Sequence, residues 1–408
     1  MPGAGRFEIR FFCLPDAMKV RSIALLLIAE VAALSLWFVS AAILPDMIRE
    51  AALSPFRQAA LSSSVQAGFV VGALASAIFG VADRFDPRKV FAASAVCAGL
   101  VNAVLLITEP GSAVAIGARF VTGALMAGIY PVGMKIAVGW GQTDRGFLVG
   151  LLVAALTLGS AAPHLFALLG GTDWRLTVAG ASLAASVGGL LCLFTGLGPF
   201  HGVAPKFDPK VISQAWTNRR IRLAYAGYLG HMWELYAMWA WIAVASAASY
   251  SATLGPQDAD WLSKVTAFAA ISAGGIACAA AGLVADRIGK ADIAIAAMVV
   301  SGLAALATAA TFGGPAWLTF VIVLIWGAGV VPDSAQFSAL VADASPPEQA
   351  GSLMTFQTAL GFALTFVTVQ ITPVLASALG WPVVLSLMAL GPAFGIVAMM
   401  RLRSLPST

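Results

Sequence analysis

Charge is what this chain has least of. Only 10% of its 408 residues are Asp, Glu, Lys or Arg, while 60% are hydrophobic. An average soluble domain carries about 25% charge, so the apolar excess cannot be hidden in a soluble core of this size. Histidine is nearly absent too, at three residues, and the four cysteines (Cys13, Cys97, Cys192, Cys278) are scattered, with no CxxC and no Cys/His cluster. That pattern excludes a disulfide framework and a structural metal site. No phosphate loop, metal-ligand cluster or nucleophile constellation appears, so neither a cofactor nor enzymatic chemistry is expected. The net charge of +4 sits in short loops between apolar runs, which is not the pattern of a nucleic-acid binder.

Long apolar runs fill the remaining sequence. Runs long enough to cross about 30 Å of hydrocarbon as a helix fall at 22–44, 59–81, 90–108, 113–137, 146–169 and 174–197, then at 219–249, 260–284, 291–312, 316–341, 351–376 and 381–401. Between the two sets lies a polar, proline-bearing segment, 198–217. The expected division is a tail at 1–21, a six-helix bundle at 22–197, a central loop at 198–217, a second bundle at 218–401 and a short tail at 402–408. Residues 1–17 read as a disordered tail or an over-extended start. With the N-terminus placed inside, 18 of the 23 Lys and Arg residues fall on the cytoplasmic side. This bias sets orientation and predicts both termini and the central loop in the cytoplasm, most naturally of a bacterial inner membrane.

The chain also says one thing twice. Asp83-Arg84 is echoed by Asp286-Arg287 at an offset of 203 (286 − 83), and Gly128-Ile129-Tyr130-Pro131 by Gly329-Val330-Val331-Pro332 at 201. Gly146 and Gly351, each opening an apolar run, lie 205 apart, and Asp173-Trp174-Arg175 finds a weaker echo in Gly380-Trp381-Pro382. Landmarks repeating in order at half the chain length predict two pseudo-symmetric halves.

Ionisable residues inside the spans mark candidate function, because they are costly at membrane depth. At about 1.5 Å per residue, Glu30 lies ~12 Å into the first span, Arg119 ~9 Å from the outer face and Glu234 ~22 Å into the seventh. His231 stands one turn before Glu234, and the i, i+3 spacing places both on one helix face, a pair suited to sharing a proton. Arg119 reads either as an anion contact or as the partner of Glu30. Asp333 follows Pro332, where the helix should break, and reads as a functional carboxylate or as a cap. Lys135 and Lys264 are expected to snorkel, and His164, after Pro163, to make an interhelical bond. The segment 230–241 holds three of the eleven tryptophans. Trp233 and Tyr236 there, facing Trp37 of the first span, are expected to wall a substrate site, with lipid-facing or packing aromatics as the alternative. Small residues at Gly123, Gly128, Gly133, Gly327 and Gly329 suit close helix packing.

Gly80-Val81-Ala82-Asp83-Arg84-Phe85-Asp86-Pro87-Arg88-Lys89 and Gly282-Leu283-Val284-Ala285-Asp286-Arg287-Ile288-Gly289-Lys290 resemble the loop signature of the major facilitator superfamily. In the first copy the leading glycine comes one position late, and Asp86-Pro87 replaces the second glycine. Arg119 followed by Gly123 is similar to a further family feature. The resemblance implies an all-α membrane protein of twelve helices in two six-helix bundles, working by alternating access. It also implies a cytoplasmic gate built on Asp83, Arg84, Arg88, Asp286 and Arg287. The expected function is secondary, proton-coupled transport of a small polar or anionic organic solute by a monomer in the lipid bilayer, with Glu30 and Glu234 titrating. The alternative is a multidrug/proton antiporter. The antiporter signature of this family carries Gly-Pro in the fifth helix, whereas Gly159-Ser160-Ala161-Ala162-Pro163-His164 keeps the proline without the glycine before it. A non-transporting scaffold or receptor is a more distant reading.

Overall fold

The computed structural model describes residues 14–141, 144–171, 173–202 and 208–406; within them the side chains of Leu14, Pro15, Asp16, Ala82, Asp83, Arg145, Asp286, Pro347 and Glu348 fall outside the description. Among the described residues every regular element is helical. The first half consists of α1 (Leu14–Leu34), α2 (Val39–Glu50), α3 (Pro55–Phe79), the short α4 (Val81–Arg84), α5 (Pro87–Ala103), α6 (Ala113–Met126), α7 (Tyr130–Val138), α8 (Arg145–Gly170) and α9 (Trp174–Cys192). After α10 (Gln214–Thr217) come α11 (Arg219–Tyr250), α12 (Pro256–Ile288), α13 (Lys290–Ala310), α14 (Ala316–Gly329), α15 (Ser334–Asp343), α16 (Pro347–Leu379), α17 (Trp381–Met388) and α18 (Leu390–Arg403).

Eleven of these helical stretches are long and apolar enough to cross a membrane. The chain is an integral, multi-pass membrane protein. The seventh expected span, α11, is 32 residues long, or about 48 Å. Its tryptophans, tyrosines, His231 and Glu234 leave it less apolar than the other eleven. Both of its ends are tied to other helices or their flanking residues. At its start Asn218 Nδ2 donates to Ala344 O, and at its end the Tyr250 and Thr266 hydroxyls lie 2.8 Å apart. The face carrying Lys19 and Arg403 is called the near face here, and the opposite one the far face.

The helix ends follow local chemistry. Ser54, Ser112, Asp173 and Asn218 each accept a backbone N–H of the following turn, the N-cap bond that orphan amides require. Gly80 (φ 60°) and Gly289 (φ 109°) end α3 and α12. A side chain is strained at such φ values, so both copies of the near-face loop turn on glycine.

The sequence repeat reappears in the packing. A Cβ on Gly123 of α6 would stand 2.1 Å from Val65 O of α3, and one on Gly327 of α14 would stand 2.1 Å from Ala270 O of α12. The two contacts are related by offsets of 204 (327 − 123) and 205 (270 − 65). Only backbone-to-backbone approach fits there. Across the two halves, α8 packs on α12 and α3 on α16, and the Ser63 hydroxyl donates to Gln370 at 2.6 Å.

Four of the expected spans are not single helices, the twelfth being interrupted at Ala389. The tenth breaks after Gly329 and restarts at Ser334, around Pro332 as expected, and the fourth breaks between Met126 and Tyr130. The first breaks at 35–38, where neither Pro nor Gly marks the site. Arg119 accounts for this break. Its guanidinium donates to Leu36 O (2.8 Å) and Trp37 O (2.9 Å), to Ser40 Oγ (2.8 Å) and to Asn102 Oδ1 (2.7 Å). Asn102 donates in turn to Ser182, and Ser40 to Leu61 O, so one buried cation ties α1, α2, α3, α5, α6 and α9. A backbone carbonyl freed inside a bilayer costs several kcal/mol unless it is satisfied, and a cation at a helix C-terminus is favoured by the helix dipole. Arg119→Leu should therefore destabilise the protein by about 3–5 kcal/mol, read as a lowered thermal unfolding midpoint in the absence of any solute. A midpoint within a degree or so of the parent would contradict this role.

Candidate functional site

Polar side chains gather where the helices break. In the second half, α11 presents His231 and Glu234 toward the break before α15. His231 Nδ1 lies 2.9 Å from Asp333 Oδ1, and its Nε2 shares a 2.7 Å hydrogen bond with Ser334 Oγ. Glu234 accepts from Ser301 Oγ at 2.8 Å and from Trp326 Nε1 at 2.7 Å. The expected Glu234–His231 pair is thus replaced by two separate polar groups. The i, i+3 spacing aims both at the same side of the bundle, but neighbouring helices supply each with its own partners. Asp333 does not cap α15 with its side chain. The break turns the carboxylate onto α11 instead.

In the first half the buried carboxylate is Glu30, on the last turns of α1. It faces α7, where a Cβ on Gly133 would come 3.4 Å from its carboxyl atoms. Gly133 therefore makes room for an acid, beyond the packing role expected of it. Neither Glu30 oxygen has a hydrogen-bond partner among the described residues. The expected Arg119–Glu30 pair is not formed, because the donors of Arg119 are turned to the helix break.

Aromatic rings from both halves interlock. Trp37 and Phe38 occupy the break after α1, Phe69 comes from α3, Tyr236 and Trp239 from α11, and Phe362 from α16. Ring centroids are 5.8 Å apart for Trp37–Tyr236, 5.5 Å for Phe38–Trp239 and 4.5 Å for Phe69–Phe362. The indole N–H groups of Trp37 and Trp239 are buried without an acceptor among the described residues. Trp37 and Tyr236 stand opposite each other, as the sequence suggests. Trp233 does not join them. Its indole donates to Leu387 O at 3.0 Å and packs by Gly391, so it faces α17 and α18.

Charges bridge the halves on the far face. Lys264 of α12 lies 3.1 Å from Asp46 of α2 and from Asp260, and donates to Gly171 O at 3.3 Å. Arg49 joins Asp46 and lies 3.1 Å from Asp260. Lys264 is thus buried and paired, not snorkelling. His164 has no hydrogen-bond partner on either ring nitrogen among the described residues, so the expected interhelical bond is not made.

On the near face, each ion pair between described residues stays within one half: Lys19–Asp144, Arg88–Asp86, Lys290–Asp343 and Arg403–Asp292. Arg88 also donates to Thr195 O. Its hydrogen bonds hold the Asp86 carboxyl below the ordinary carboxylate range. That contribution is present at neutral pH and is lost as the pH falls through the lowered value. Arg84 and Arg287 are exposed, and the Asp83 and Asp286 side chains lie outside the described residues. Sequence reasoning passed over Asp46, Asn102, Ser301 and Trp326 as site residues, none of which carries a local signal; each matters through a partner on another helix.

No curated protein matches the chain. Residues 25–367 match the family described as Major Facilitator Superfamily. That stretch begins in α1 and ends in α16, taking in both breaks beside the buried acids. The chain belongs to the Major Facilitator Superfamily of membrane transporters.

Proposed function

We propose that this chain is a secondary transporter that moves a small organic solute by alternating access, coupled to protons through Glu30. Two six-helix bundles, residues 22–197 and 218–401, are the moving bodies, and α11 is the twelfth span. The described chain starts and ends on one face, which an even number of crossings requires. The basic residues crowd that same face and make it the cytoplasmic one.

One observation carries the coupling: a fully buried carboxylate with no hydrogen-bond partner for either oxygen among the described residues. Leaving it ionised and unpaired costs several kcal/mol, and a proton removes that cost. Glu234 already holds two donors and Asp333 faces His231, so these acids are better furnished to keep the second half's interior in order. When the bundles rock and Glu30 meets water or another partner, its proton affinity changes, and that difference couples the proton to the motion. The far face is held closed by Lys264 with Asp46 and Asp260. In the opposite state Asp83, Arg84, Arg88, Asp286 and Arg287 would close the near face.

Two outcomes follow. In proteoliposomes presented with a panel of organic acids, amines, sugars and aromatic drugs, Glu30→Gln should lower pH-gradient-driven accumulation of the accepted solute by at least about tenfold, while solute exchange without a gradient persists. Full gradient-driven transport by the variant would remove Glu30 from the mechanism. Separately, Ser63→Cys with Gln370→Cys, in a background lacking the four native cysteines, can be joined by a short thiol-reactive bridge. Joining them should stop transport reversibly, with recovery on reduction. Undiminished transport through the bridged protein would argue against rocking halves.

A further inference from the structure

We propose that the solute is an uncharged molecule with a flat apolar body and at least one oxygen or nitrogen acceptor, read by the indole N–H groups of Trp37 and Trp239 at the seam between the halves. The inference rests on the transporter reading above and narrows its small organic solute to a chemical class. It sets aside the anionic solute that Arg119 suggests in the sequence.

An indole nitrogen is a donor only, and a buried donor without an acceptor is costly. Six tryptophans are buried. Four of them donate to an oxygen: Trp140 to Gly196 O at 2.9 Å, Trp174 to Glu50 at 2.7 Å, Trp241 to Val369 O at 3.0 Å and Trp326 to Glu234 at 2.7 Å. The half-buried Trp233 does the same. Trp37 and Trp239 are the exceptions. They are 2% and 1% exposed, and neither N–H has an acceptor among the described residues. The two are not scattered. Both rings pack on Tyr236, with centroids 5.8 Å and 5.5 Å away. Trp37 belongs to the broken first span and Trp239 to α11, so the unspent donors come from opposite halves and flank one phenol ring. Phe38 stands edge-on to Trp239 at 5.5 Å, and a ring face is a weak acceptor for an N–H. An oxygen or ring nitrogen of a solute is a strong one. Donors left unspent beside a seam that parts in each cycle are available to what enters there.

The charge of the solute follows from what surrounds these donors. The cluster consists of Trp37, Phe38, Phe69, Tyr236, Trp239 and Phe362, none of them an ion at neutral pH. Arg119 spends four hydrogen bonds on Leu36 O, Trp37 O, Ser40 and Asn102, and Lys264 is held by Asp46 and Asp260. An anion would enter without a counter-charge, which costs far more than a neutral acceptor. An indole N–H offers a cation nothing, whereas it suits a carbonyl, an ether or a ring nitrogen. Tilted and edge-on rings also accept a flat aromatic body in the geometry they use with one another. A bound solute exchanges ring-to-ring contacts for its own and adds the hydrogen bonds that the cluster alone lacks. Specificity then resides in the acceptors, because a hydrocarbon of the same shape leaves both donors unpaired.

The test uses the full chain in lipid nanodiscs, with protein-free nanodiscs as blank. It measures equilibrium binding of radiolabelled aromatic pairs matched in shape: coumarin against naphthalene, fluorenone against fluorene, and benzophenone against diphenylmethane. Naphthoate and naphthyltrimethylammonium are the charged arms. At least one acceptor-bearing member should bind saturably, about tenfold or more tighter than its hydrocarbon partner. Trp37→Phe and Trp239→Phe keep a ring and remove the donor, and each should erase most of that preference. In the parent protein with isotope-labelled indole nitrogens, the N–H proton resonances of Trp37 and Trp239, assigned from those variants, should move downfield on binding. That shift reports a new hydrogen bond and needs no altered protein. Hydrocarbons binding as tightly as their partners, saturable binding of a charged probe alone, no binding by any acceptor-bearing member, or indole resonances that stay in place each overturn the inference. None of these outcomes touches the transporter reading, which fails instead if no solute accumulates in the gradient experiment.

Discussion

A bilayer offers no water to a broken helix, and this molecule depends on how it meets that constraint at residues 35–38. The first span must bend there to bring Trp37 and Phe38 against the rings of α11 and α16. The bend frees the carbonyls of Leu36 and Trp37, and the guanidinium of Arg119 takes both. Arginine suits the task because its planar fork donates in several directions while it remains charged. The same cation reaches Asn102 and Ser40, so the bend is locked to most of the first half. A residue that looks like a substrate contact on hydropathy grounds is thereby committed to holding the backbone.

The two halves share a skeleton and diverge in polar chemistry. Gly123 on Val65 and Gly327 on Ala270 are matching close contacts, and the fourth and tenth spans break at matching places. In the first half a cation is fully used and a carboxylate is left over. In the second, a histidine faces one acid and a serine and an indole hold another. Duplicated architecture with unequal interiors gives the two halves different parts in the proposed cycle. The first carries the titrating group, and the second supplies the aromatic wall and an ordered polar interior. The far-face cluster of Asp46, Arg49, Asp260 and Lys264 joins them in this state.

Much of the frame was legible because membrane physics acts on composition. Apolar runs, basic loops and the 200-residue echo are one-dimensional signals, and eleven spans and the break around Pro332 follow from them. The seventh expected span, 219–249, read as an apolar run, is not among the eleven helices apolar enough to cross a membrane, since Trp233, Tyr236, Trp239 and Trp241 count little on a hydropathy scale. The site was less legible. Depth along a helix says that Glu30, Arg119, Glu234 and Asp333 are costly, but their partners are chosen by neighbouring helices at separations of tens to hundreds of residues. Thus Arg119 found carbonyls instead of Glu30, His231 found Asp333 instead of Glu234, and Trp233 turned to α17 and α18. The break at 35–38 has no proline or glycine to announce it, because its cause lies on α6.

The central claim is that Glu30 is a buried acid that holds a proton in this state. Infrared difference spectroscopy of the protein in lipid membranes tests it directly, through the carbonyl stretch of a protonated carboxylic acid. The account predicts such a band at neutral pH in the parent protein and its disappearance in Glu30→Gln. A spectrum in which the variant retains the band unchanged, or the parent lacks it, would contradict the account.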